Sequence, residues 1–164
     1  MTAGQEEGAP RVVSVSREVA AAPERIFELI ADPSQQPRWD GNDNLREAPA
    51  GQRVRQVGDV FLMTLTMGSV RENHVVEFEE ARRIAWRPSE VGRPEPGHLW
   101  RWELSPLGGA GARTLVTHTY DWTLLTDGNR LPAARATTPD RLRASLDRLA
   151  ALAESAPDND GRIM

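Results

Sequence analysis

From Val60 to Leu125 apolar and polar residues alternate with a period of two, in short runs broken by turn residues. That period puts every second side chain on one face of a strand, so each run packs as a half-buried strand. VFLMTLTMG (60–68) lies between Gly58-Asp59 and Gly68-Ser69. SVRENHVVEFEE (69–80) follows, with Val70, Glu72, His74, Val76 and Phe78 on one side. Arg82 to Pro88 comes next, and its Ile84 and Trp86 share a face. HLWRWELSP (98–106) and RTLVTHTYDWTLL (113–125) are set off by the loops VGRPEPG and GGAGA. Strands at this spacing with turn signals between them predict an antiparallel meander.

Four of the five tryptophans fall in these runs. Trp100 and Trp102 share one strand face; His118, Tyr120 and Trp122 share another. Two readings of the aromatics stand side by side. They fill a core and pair across hairpins, or they line an apolar space with a few polar groups in it, which is what a small-molecule pocket needs.

The flanks are different. RVVSVSREV (11–19) alternates Val13, Val15 and Val19 against polar residues, giving one more strand. Pro23 and Glu24 open a helix whose apolar stripe is Ile26, Phe27 and Ile30. Asp32 precedes Pro33, so it ends that helix and caps a second short one carrying Trp39. At the other end, Thr138-Pro139 begins a long helix with Leu142, Leu146, Leu149 and Ala153 on one face. The order predicts an α+β fold: a curved antiparallel sheet of about six to seven strands wrapped around a C-terminal helix, with two short helices after the first strand.

The chain has 164 residues, 39% hydrophobic and 27% charged, enough for one domain with a real core. That domain is expected over 11–155, with a disordered N-terminus at 1–10 and a flexible tail at 156–164. Its net charge of -4 argues against a general affinity for nucleic acid. All 20 cationic residues are arginine, which excludes lysine Schiff-base chemistry and a phosphate-loop lysine. The absence of cysteine excludes disulfides, thiolate nucleophiles and cysteine-ligated metals. Neither a signal-peptide pattern nor a membrane span is visible, so a cytoplasmic protein is expected. Serine-nucleophile, phosphate-loop and dinucleotide motifs are missing.

Several phrases carry a family resemblance: SREVAAAPERIFELIADPSQQPRW (16–39), VGDVF (57–61), HVVEFEEARRIAW (74–86), GGAGARTLVTHTYDW (108–122) and the closing helix. Together they resemble the START-like (SRPBCC) superfamily, in its polyketide cyclase/dehydrase branch, over roughly residues 12–154. The resemblance implies a helix-grip fold with a cavity between the concave sheet face and the last helix. It implies binding of lipids, sterols or polyketides, with catalysis of cyclisation or dehydration in a minority. It supplies no single catalytic motif to carry over, and fold does not determine function.

On strand parity the cavity is expected to receive Met63, Leu65, His74, Val76, Trp86, Trp100, Trp102, His118, Tyr120 and Trp122. Trp39 is expected near its entrance, with Leu142, Leu146 and Leu149 facing in from the helix. His74, His118 and Tyr120 would orient a ligand, and His118 and Tyr120 are the candidate acid–base groups if a reaction occurs. Glu72, His74 and His118 make a conceivable metal set, but the spacing has no tight ligand motif, and no metal or cofactor is expected. His98 reads as solvated, and Arg87, Arg93 and Arg101 as a loosely placed rim for an acidic ligand. Three functions follow: binding of a hydrophobic or aromatic small molecule; a cofactor-independent cyclase or dehydratase; and a protein-interaction module of the co-chaperone or toxin type with a filled interior. The expected partner is a hydrophobic small molecule rather than nucleic acid, with the protein a monomer or homodimer.

Overall fold

The computed structural model describes residues 10–155; the expected disordered N-terminus and flexible tail fall almost wholly outside that range. Strand β1 (Val12–Val19) buries Val13, Val15 and Val19 and turns its serines outward, as the alternation requires. Helix α1 (Pro23–Ala31) starts on proline, carries Glu24 in its first turn and buries Ile26, Phe27 and Ile30. It stops at Asp32, whose carboxylate accepts from the Ser34 amide (3.1 Å) and hydroxyl (2.8 Å) and starts a 3-10 turn. One further helical turn, α2 (Gln36–Trp39), follows.

Six strands then run as a meander: β2 (Leu45–Glu47), β3 (Val60–Leu65), β4 (Val70–Glu79), β5 (Arg83–Glu90), β6 (Leu99–Pro106) and β7 (Thr114–Asp121). With β1 they form one antiparallel sheet in the order β1-β7-β6-β5-β4-β3-β2. A short helix α3 (Leu131–Arg135) and the long α4 (Pro139–Glu154) complete the chain. The fold is the α+β helix grip, with seven strands. Helix α4 packs on β1, β7, α1 and α2, burying Leu142, Leu146, Leu149 and Ala153. None of the described helices is long and apolar enough to cross a membrane.

Strand β4 departs from simple alternation. Its pairing with β5 slips between Val75 and Glu77, so Val76 is the extra residue of a β-bulge. The bulge reverses parity. Phe78 beyond it turns to the core and meets Phe27 edge-on, centroids 5.6 Å apart. Before it, Asn73 and Val75 are the buried residues. Extending the parity of Phe78 back through the strand therefore selects the wrong face: His74 and Val76 point away from the interior, and Arg71, Asn73 and Val75 towards it.

Gly41 sets the approach of α4 to the turn after α2. A Cβ there would lie 2.5 Å from the backbone carbonyl of Ala144, so only glycine permits this contact.

Candidate ligand-binding site

A cavity of about 330 Å³, open to solvent, lies between the concave sheet face and the first two turns of α4. Its floor is built from cross-strand pairs. Trp100 on β6 stands opposite Trp86 on β5 and Tyr120 on β7, and Trp102 stands opposite His118. Directly opposed side chains on one face lie close enough to interact, and here they are nearly all aromatic. Trp100 and Tyr120 centroids are 4.4 Å apart, and Trp102 and His118 are stacked at 3.7 Å. Phe61 supports Trp86 edge-on from β3 at 5.3 Å.

Of the expected residues, Trp39, Met63, Leu65, Trp86, Trp100, Trp102, His118, Tyr120 and Leu142 line this cavity. Trp39 is 4% exposed, so it is wall rather than mouth. Its indole N–H donates to the Leu29 carbonyl at 2.7 Å, and its ring meets Trp102 edge-on at 5.2 Å. Leu146 and Leu149 pack in the core beside the cavity without lining it.

Three further expected residues lie elsewhere: Val76, at the bulge itself, His74 and Trp122. His74 is on the other face of β4, bonded to the Ser89 hydroxyl at 3.1 Å, with Glu72 and Glu95 carboxylates at 3.9 and 3.8 Å. The bulge is the reason, and it also separates His74 from His118, so the three-residue metal set is not assembled. Trp122 lies past the end of β7, where strand parity no longer applies. Its indole N–H donates to the Pro10 carbonyl at 2.9 Å, and the Arg11 guanidinium sits over its ring at 4.3 Å. It is a core residue that pins the start of β1.

The expected arginine rim does not form. Arg87 donates to the Gly97 carbonyl at 2.8 Å, Arg101 forks onto Glu77 at 2.8 and 2.7 Å, and Arg93 faces Glu90. Instead the cavity takes its cations from Arg71, Arg130 and Arg141. Sequence reasoning also missed Asn73, His98 and Thr137. Arg71 and Asn73 were hidden by the bulge. Arg130 closes a 3-10 turn before α3 and Thr137 follows α3, in a segment without legible periodicity that covers one end of the cavity. His98 is half-buried on the wall rather than solvated.

Burial governs the protonation states. Desolvation lowers the His118 pKa to about 3, against a smaller opposing effect of its bond to the Arg101 carbonyl. That bond, 3.2 Å from Nδ1, makes Nδ1 the donor and leaves Nε2 as the ring's acceptor. Desolvation also lowers His98 to about 4, helped by the charges of Arg130, Arg71 and Arg87. Tyr120 is pushed up to about 12 by desolvation, with Arg130 and Thr137 pulling the other way. Asp40 is the one carboxylate among the lining residues, and backbone amides occupy it: Asn42 at 3.1 Å, Asn44 at 2.6 Å and Leu45 at 2.8 Å. At neutral pH the wall thus offers a neutral imidazole acceptor, a phenol and guanidinium groups around an aromatic floor.

Comparison with known proteins agrees with this architecture. The chain is 27% identical over 133 residues to the uncharacterized protein Rv0088 of Mycobacterium tuberculosis, covering 74% of this chain. It spans about half the length of that relative, 52%. In fold it is similar to a START superfamily protein from Mycobacterium smegmatis, with TM-score 0.57, 20% identity and coverage of 87% of this chain and 99% of that one. It is also similar to DynU16, a protein of the dynemicin biosynthetic locus, with TM-score 0.61 and 23% identity over 89% of this chain and 48% of that one. A family model described as polyketide cyclase / dehydrase and lipid transport matches residues 10–154. The chain belongs to that family, and its fold is shared with the START superfamily protein.

Proposed function

We propose that this protein binds a hydrophobic or aromatic small molecule in the cavity between its sheet and α4. The observation that carries this reading is an open cavity of about 330 Å³ floored by Trp86, Trp100, Trp102 and Tyr120. Pockets of this size and lining remove most of a small ligand's apolar surface from water. Affinity comes from stacking and apolar burial. The Tyr120 hydroxyl and His118 Nε2 fix orientation by donating to and accepting from the ligand.

The protonation states favour binding over proton transfer. An acid–base catalyst is most effective with a pKa near the working pH. His118, at about 3, and Tyr120, at about 12, each hold one protonation state across the neutral range. An open cavity also differs from the filled interior that the interaction-module reading requires.

Titration of intrinsic tryptophan fluorescence with a fatty acid, a sterol and an aromatic polyketide tests the proposal. A saturable change that Trp100→Leu weakens is expected for at least one of them. No saturable response across the panel sinks it.

A further inference from the structure

We infer that the cavity ligand is an acid whose carboxylate seats against Arg71 and Asn73, its apolar body lying on the aromatic floor. This rests on the small-molecule reading above and names the chemical class.

Arg71 and Asn73 are two residues apart on β4, before the bulge, so their side chains leave the same face into the cavity. Asn73 is only 5% exposed, yet its amide makes no hydrogen bond within the described residues. It is also not among the fully enclosed unpartnered atoms, so it opens onto the cavity. Nearly all buried polar side chains have a partner, so an amide left open beside a cavity marks a ligand position.

Arg71 is the charge beside it. No described carboxylate lies within ion-pairing distance of its guanidinium, whereas Arg130 is held by Glu90 at 2.9 Å and Asp127 at 3.5 Å. Burial and the neighbouring charge of Arg130 both act to destabilise the Arg71 cation, and Glu90 offsets them only in part. A half-buried guanidinium with no counter-ion costs stability, and a bound oxyanion removes that cost. Asp40 does not compete, because backbone amides already occupy it. A protein of net charge -4 thus turns a cationic wall to its cavity. The planar guanidinium fork matches a carboxylate, with the Asn73 amide N–H as a further donor.

The test is calorimetric titration of the full chain with 2-naphthoate and with its neutral amide, repeated on Arg71→Gln. Thermal unfolding confirms that the variant folds; its midpoint should not fall, since no ion pair is broken. In the wild type, 2-naphthoate should bind about tenfold or more tightly than the amide. Arg71→Gln should remove that preference, weakening the acid about tenfold more than the amide. Equal affinity of acid and amide in the wild type would overturn the carboxylate anchor while leaving the cavity reading intact. A preference that survives in Arg71→Gln would overturn the assignment to Arg71. Failure of both probes to bind would count against the cavity reading, and the anchor would fall with it.

Discussion

The imidazole of His118 lies flat against the indole of Trp102, with centroids 3.7 Å apart and planes 11° from parallel. Trp100 stacks near it at 5.6 Å and 17°. This apolar contact accounts for the depressed basicity of the ring, because a charged imidazolium would sit here without water.

That burial makes the fold acid-sensitive. His118 and His98 have folded pKa values of about 3 and about 4, both below the ordinary 6.5. The unfolded chain therefore takes up protons first as pH falls. Stability is full above about pH 6.5 and declines below it, by up to about 1.4 kcal/mol per pH unit for each histidine. Urea unfolding at pH 7, 6 and 5 should show this decline, and His118→Gln should make it shallower while leaving the share of His98.

Trp39 and Trp102 meet edge-on but differ in their N–H groups. Trp39 donates to the Leu29 carbonyl, whereas Trp102 Nε1 is fully enclosed and has no partner among the described residues. Replacing Trp39 with Phe strands a carbonyl; replacing Trp102 with Phe removes a donor that was already unsatisfied. Trp39→Phe should cost about 1 kcal/mol more than Trp102→Phe in chemical denaturation.

Trp122 and Trp100 separate structure from binding. Trp122→Phe loses the bond to Pro10 and weakens the contact with Arg11, so it should lower stability by about 1–2 kcal/mol. Ligand affinity in the same variant should match the wild type. Trp100→Leu should do the reverse, losing affinity with a smaller change in unfolding midpoint.

Gly41→Ala should destabilise by about 1–3 kcal/mol, because the new methyl meets the α4 backbone at Ala144 rather than a side chain that can turn aside. A denaturation curve with a lowered midpoint and unchanged slope would match this local clash.

Much of this was legible from residues alone. The alternation of Val13, Val15 and Val19, the Pro23 start, the Asp32-Pro33 break and the Leu142–Leu146–Leu149 stripe each specify an element by local chemistry, and each element is present. The aromatic floor was legible because β6 and β7 are regular, so parity carries from Trp100 to Trp102 and from His118 to Tyr120. The β4 wall was not. The bulge at Val76 sits among valines and glutamates with no glycine to mark it, and parity read through it placed His74 where Asn73 belongs. The segment 126–137 was missed for another reason. Its α3 buries Ala134 and nothing larger, which leaves no stripe to detect.

Both halves of α4 are tied to the rest of the fold by polar contacts as well as by packing. Arg25 reaches from α1 to the last carbonyls of the helix, donating to Leu152 at 3.2 Å, Ala153 at 2.6 Å and Ser155 at 3.0 Å. Glu154 accepts from the Ala20 amide at 2.8 Å, and Arg17 pairs with Asp147 at 2.9 Å. The cavity borders only Arg141, Leu142 and Ser145, at the opposite end. That half is tied to the turn after α2, where the Gly41 amide donates to Ser145 Oγ at 3.0 Å, Asn42 to the Arg141 carbonyl at 2.9 Å and Arg148 to the Asp40 carbonyl at 2.8 Å. The turn after α2 thus works as a strap over the cavity end of the helix, while Leu149 moors the rest of it in the core.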